Sequence, residues 1–242
     1  MEKYKKLYLY MIIPMIIMQL GIAMDYWGDF TKNTWAVHIH YWSGTIWYLF
    51  LIIQPYYATH GKMEKHRTNG MIGIFIAGSV GLGSLSMLHR DIRLANLAME
   101  FPEKFGPFKP WFFYGVPVVE TVMICAFMYA VIKSIVHRKD LENHAWWLIS
   151  TVFLIMMPAL GRGVQFVQIM ISDFTPDLNA MLGIYISAVI IIGLAIISAI
   201  KYDKLKHPAT ILIICVNLFN CLLEPIGKSE VIQNILETVI KG

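Results

Sequence analysis

Three histidines, a glutamate and an arginine set the chemistry open to this chain, because each stands within or at the mouth of an apolar stretch. His66 and His144 each open such a stretch, and His40 opens another. Imidazole binds haem iron, copper and zinc. His66 lies four residues before Gly70, and His40 four before Gly44. On a helix, residues four apart share a face. Each histidine therefore has a patch free of side chains one turn deeper, with room for a porphyrin or for a neighbouring helix. Two axial imidazoles, His66 and His144, with Arg67 beside the propionates and Gly70 leaving space, form the haem b reading. His40, His66 and His144 are also the candidates for copper or zinc, with any such site confined to one membrane face.

The second constellation is Glu120 with Arg162. Ionisable groups inside a membrane span are costly and face the interior of the bundle. The two lie at matching depth on antiparallel segments, and the expectation is that they pair. Pro117 precedes Glu120 by three residues and Pro158 precedes Arg162 by four. Each proline frees a backbone carbonyl and favours a kink. Gln165 continues the arginine's face. With His40, Gln54 and His89 these residues are assigned to a polar cavity open toward the outside; a purely structural ion pair is the competing reading. His144 and Arg162 are 18 residues apart, about five full turns, so one unbroken helix would point both the same way over roughly 27 Å.

The elements that position these groups are membrane helices. Apolar residues make up 57% of the 242 and charged residues 15%; mean hydropathy is +0.58. A soluble domain is about one quarter charged, so the composition excludes a soluble enzyme, a nucleic-acid-binding domain and a disordered chain. A span needs about 20 apolar residues. Six stretches qualify: 7–24, 36–59, 68–88, 110–136, 145–171 and 178–200. A seventh, 209–223, is short and carries Asn217 and Asn220, so it either spans or re-enters. The reading is an all-α integral membrane bundle of six to seven helices, one domain over 1–242. The first helix is read as a retained signal-anchor.

Basic residues fix the expected orientation. Lys3, Lys5 and Lys6, then Lys62, Lys65 and Arg67, then Lys133, Arg138 and Lys139, then Lys201, Lys204 and Lys206 fall at alternate boundaries. That places the N-terminus in the cytoplasm of a cell whose inner or plasma membrane holds the chain. Loop 172–177 has no basic residue. In the third helix Gly70, Gly73, Ala77, Gly81 and Ser84 form a smooth face suited to close helix approach. Over 229–241, Val231, Ile232, Ile235, Leu236, Val239 and Ile240 recur at helical spacing, against Glu230, Asn234, Glu237 and Lys241. This reads as an amphipathic helix on the membrane surface or against a neighbouring subunit. Cys125, Cys215 and Cys221 lie in apolar stretches and suggest no disulfide framework. No deep lysine is available for a retinal Schiff base, and no P-loop, GxGxxG or GxSxG is present.

The set His40, Gly44 and Gln54, then His66-Arg67-Thr68-Asn69-Gly70, then Asp140, His144 and Trp147 with Arg162 beyond, resembles a family of bacterial multi-pass membrane proteins defined only by a domain of unknown function. The likeness covers roughly residues 36–170. Leu148 and Ser150 depart from the family's methionine and arginine. More loosely, the histidines resemble those of the ascorbate-reducible cytochrome b carriers, a likeness that implies one bis-histidine haem at His66 and His144. The outer haem of that family has no counterpart, since Glu120 stands where its ligand would be. Three functions follow from these readings. One is a haem b electron carrier, an oxidoreductase if it turns over, between a membrane quinol and an acceptor. One is a proton-coupled permease or ligand-binding protein using the Glu/Arg/His cavity. One is an accessory or assembly subunit beside a respiratory partner protein. His38 is a weaker ligand candidate, and His60, His137 and His207 are read as headgroup-facing.

Overall fold

The computed structural model describes residues 2–172 and 178–241; the 173–177 part of the expected far-side loop, and the side chains of Ile240 and Lys241, lie outside the described residues. Every regular element among the described residues is helical. The principal helices are α1 (Leu7–Tyr10), α2 (Ile12–Gly21), α3 (Trp35–Thr59), α4 (Met63–Leu85), α5 (Leu88–Glu100) and α6 (Pro110–Val136). They continue as α7 (Leu141–Leu154), α8 (Met157–Ser172), α9 (Ala180–Lys201), α10 (Pro208–Asn220), α11 (Leu223–Gly227) and α12 (Glu230–Lys241). Five helical stretches, with α4–α5 and α7–α8 each counted as one, are long and apolar enough to cross a membrane. Phe75 and Val189 are 77% and 72% exposed, which water would penalise and lipid would not. The chain is a polytopic membrane helical bundle.

The basic segments gather at one end. Glu142, on the first turn of α7, holds Lys3 at 2.5 Å and Lys204 at 3.0 Å. Short α1–α2 and α10–α11 run the full distance between this basic end and the far end. Tyr8 meets Tyr56 and His60 at one end of α3, while Tyr26 meets His38 at the other. Likewise His207 bonds Asn143 at the basic end, and Gly227 abuts the Trp111 backbone at the far end. Segment 209–223 therefore traverses the bundle rather than re-entering. Tail helix α12 packs on α5 and α6, with Leu236 against Ile92 and Tyr114 and the Tyr114 hydroxyl donating to Glu237 at 2.5 Å.

Two expected spans are broken, each by proline. Pro14 would clash with the carbonyl four residues back, at Tyr10, where α1 ends; Pro158 does the same at Leu154, where α7 ends. The expected single helix over 145–171 is thus α7 and α8. The 18-residue argument fails at this break, so His144 and Arg162 belong to different helices and serve different sites. The break is buried, with Leu154 and Met156 almost inaccessible, and its freed carbonyls need donors. Tyr48 donates to the Val152 carbonyl at 3.2 Å, and Asn217 of α10 to the Phe153 carbonyl at 3.3 Å. This accounts for an asparagine inside an apolar segment. Asn217→Leu is expected to cost about 1–2 kcal/mol by orphaning that carbonyl, read as a lower melting temperature in detergent; an unchanged melting temperature would refute the role. Pro55 and Pro117, by contrast, sit inside unbroken α3 and α6.

The expected stripe on α4 divides between packing and open space. A Cβ on Gly73 would strike the Phe50 ring and one on Gly81 would touch Met128, whereas Gly70 faces nothing within 4 Å. Beyond α4 the chain does not loop at once, because amphipathic α5 follows and turns Ile92, Ala95, Ala98 and Asp91 to the interior, Asp91 at 5% exposure.

Candidate functional site

A cavity of about 770 Å³ opens near the basic end between α1, α3, α4, α6 and α7. Its volume falls within the roughly 300–1,000 Å³ usual for small-molecule and cofactor sites. Leu51, Ile74, Ile135, Leu148 and Ile149 supply apolar walls, and Arg67, Arg138 and Lys139 also line it. His66 comes from the first turn of α4 and His144 from the first turn of α7. Their ring centres are 6.2 Å apart with planes at 89°.

His144 is held in one tautomer. Its Nδ1–H donates to the Ser134 carbonyl at 2.8 Å near the end of α6; a carbonyl only accepts, so in the neutral ring Nε2 carries the free lone pair. Metal-bound histidines are oriented by such bonds. The Nδ1 of His66 is buried without a partner, and so are both amide atoms of Gln54, which is 1% exposed. Gln54 thus keeps an unpaired donor and acceptor in the cavity wall. Its sequence assignment to the outer polar set is corrected: it lies two turns of α3 nearer the basic end than Tyr48, with His66 and His144.

Toward the far end the cavity is closed by packed aromatic rings. Trp47 stacks edge-on with Phe127 at 5.1 Å and donates to Thr151 at 3.2 Å. Trp47, Tyr48, Phe127 and Val152 are all almost fully buried.

Beyond this layer lies the outer polar set, and its pairing differs from expectation. Arg162 does not form an ion pair with Glu120. It pairs with Asp25 at 3.3 Å and donates to the Tyr41 hydroxyl, which itself donates to Asp25 at 2.6 Å. The reason is the π turn Ala23–Trp27, which carries Asp25 inward beside α3 where sequence places it beyond the first span. Glu120 remains close to Arg162, since both border two small cavities of about 70 and 80 Å³. His40 lines the first of these and Gln165 the second. Each has room for about two or three waters at about 30 Å³ apiece, so the expected open polar cavity is a pair of small chambers. His89 is exposed and is not part of it; the adjacent Arg90 and Asp91 face the cluster instead. His38 bonds the Tyr26 hydroxyl at 2.8 Å, away from His40.

Asp25, Tyr41, Arg90 and Asp91 escaped the sequence reading, and so did Arg138 and Lys139 as cavity residues. Asp25 had one visible signal, an acid directly abutting an apolar run. Nothing local marks the others. Among the described residues no three histidine, cysteine, aspartate or glutamate side chains gather as a metal site, and His40 lies in a different cavity from His66 and His144. In comparisons with family models, curated proteins and solved structures the chain finds no match, so its residues and their geometry carry the functional reading.

Proposed function

We propose that the chain is a haem b-binding electron carrier of the cell membrane, with His66 and His144 as the axial ligands. The observation that carries this reading is the placement of the two imidazoles close together on the border of one large, mainly apolar cavity. Two imidazoles that would hold one iron between them must lie close in space, and a haem iron accepts imidazole nitrogen. The ring centres of His66 and His144 stand 6.2 Å apart. Copper or zinc fits less well, because two imidazoles leave a three- or four-ligand shell incomplete, whereas a haem brings four nitrogens of its own.

The remaining residues suit the same group. Arg67, Arg138 and Lys139 offer positive charge to the propionates, Gly70 leaves its face open, and Gln54 supplies an amide to the porphyrin edge or a propionate. Ser134 holds His144 in the ligating tautomer. When bound, a bis-imidazole haem exchanges one electron without opening a coordination site. The Trp47–Phe127 layer keeps water from reaching the cavity from the far end, which sets the local dielectric and hence the potential. A membrane quinol is the proposed donor and a respiratory partner protein the proposed acceptor. The permease reading has less support, because chambers of about 70 and 80 Å³ are too small for an organic substrate.

The test is an absorption spectrum of the protein purified after growth with haem precursor, before and after dithionite. Sharp reduced α and β bands at one haem per chain are expected. A featureless spectrum would overturn the proposal.

A further inference from the structure

We infer that Asp91 and Glu120 form a proton-binding site in the far half of the bundle, the two carboxyl groups together holding one exchangeable proton delivered by water through the chambers that meet at Glu120. The inference does not depend on what fills the cavity near the basic end.

The charge inventory leads to it. The cluster contains three carboxyl groups, Asp25, Asp91 and Glu120, and two guanidinium groups, Arg90 and Arg162. Arg162 is engaged by Asp25 and Tyr41. Neither Asp91 nor Glu120 makes an ion pair among the described residues, yet the two are 5% and 8% exposed. One oxygen of each, Asp91 Oδ2 and Glu120 Oε2, is buried with no hydrogen-bond partner. They lie within electrostatic range of one another. Two buried carboxylates sharing a site do not both ionise; one proton serves the pair.

Each element packed against the pair brings its own polar groups. On α3 stand His40, with its Nδ1 buried and unpartnered, and Tyr41. The turn before α3 brings Asp25, α5 brings Arg90 and α8 brings Arg162. The α10 residue there is the neutral Asn220, whose Oδ1 is also buried without a partner. On α12, Glu237 accepts from Tyr114, and on α11 Glu224 pairs with Lys228. The α4 wall offers Val80 and Ser84, and the α7–α8 break Ile155. Arg90 and Arg162 both act on Asp91 and Glu120, and with Asp25 counted the two guanidinium groups face three carboxyl groups, one more than they balance.

Access is built in. Glu120, Met123, Pro158 and Arg162 border both chambers, so waters on either side of Glu120 reach the same carboxyl. In the step itself a hydronium gives its proton to one carboxylate oxygen and leaves as water. The pair goes from a charge of minus two to minus one.

Infrared spectroscopy of the purified protein in H₂O and D₂O tests this. Surface carboxyl groups are ionised at neutral pH and silent in the carboxylic-acid C=O region. The wild type is expected to show one carboxylic-acid band there that shifts to lower frequency in D₂O. Both Glu120→Gln and Asp91→Asn are expected to lose the band, because a lone acid beside an arginine ionises. Glu142→Gln, at the basic end, is expected to keep it. No band in the wild type, or a band that resists exchange, overturns the site. A band lost in only one of the two variants overturns the sharing. Should either variant fail to fold, the wild-type band still decides, since titration to alkaline pH must remove it while carboxylate absorption rises by the same number of groups.

Discussion

His144→Ala is expected to lower haem retention at least tenfold, read as the reduced α band per mole of purified protein. The substitution removes the proposed ligand whose orientation is best determined. His144 Nδ1 is committed to the Ser134 carbonyl at 2.8 Å, which leaves Nε2 free to ligate. Tenfold corresponds to about 1.4 kcal/mol, a low threshold for an axial bond, given that an outer-shell partner alone is worth 10- to 100-fold. His66→Ala is expected to behave alike. His38→Ala and His60→Ala are expected to keep full haem, because His38 bonds Tyr26 and His60 packs on Tyr56. Imidazole added to His144→Ala should enter the vacated space and restore the low-spin spectrum. That recovery separates a lost ligand from a collapsed fold. Full low-spin haem in either the His66 or the His144 variant would remove that residue from the ligand set.

Arg162→Ala is expected to be the most destabilising single change in the far half of the bundle. Removing one partner of an ion pair strands the other. The Arg162 and Asp25 side chains are 28% and 39% exposed, so solvent screens the pair and the expected loss is about 2 kcal/mol, between the exposed and the buried cases. For a chain of this length that is a fall of roughly 4–8 °C in melting temperature. Arg162 also donates to the Tyr41 hydroxyl and acts electrostatically on Glu120, so Asp25, Tyr41 and Glu120 are all affected together. Adding Asp25→Asn should recover part of the loss, because the stranded carboxylate is gone; groups in contact show such non-additivity. The experiment is a melting curve of the single and double variants in one detergent. A shift within a degree or two for Arg162→Ala would mean that the guanidinium is solvated, and the buried-pair account would fail.

Which elements were legible in sequence follows from how local their causes are. Apolar runs long enough for lipid marked α3, α4, α6 and α9 directly, because burial of backbone polar groups in hydrocarbon leaves only a helix as a solution. The four basic triplets marked one end of the bundle, and Glu142 does join two of them. His66, His144, Arg67 and Gly70 were legible as one group because each opens a helix at the basic end, and helix starts on one side of a membrane are near one another in any compact bundle.

The rest required tertiary structure. Pro158 was visible, but whether it kinks or ends a helix depends on donors supplied from elsewhere, here Tyr48 and Asn217, so the helix carrying both His144 and Arg162 became two. Arg162 was legible as a buried cation, but its partner was not. Glu120 and Asp25 both lie at a suitable depth, and only the π turn at Ala23–Trp27 decides that Asp25 reaches it first. Asp91 sits in a segment whose composition reads as an outer loop, and packing of α5 on α6 turns it inward. Sequence by itself determined which residues must avoid lipid, because that penalty belongs to each side chain. Which of them meet is set by helix breaks and by the rotation of each helix against its neighbours, and those depend on contacts hundreds of atoms away along the chain.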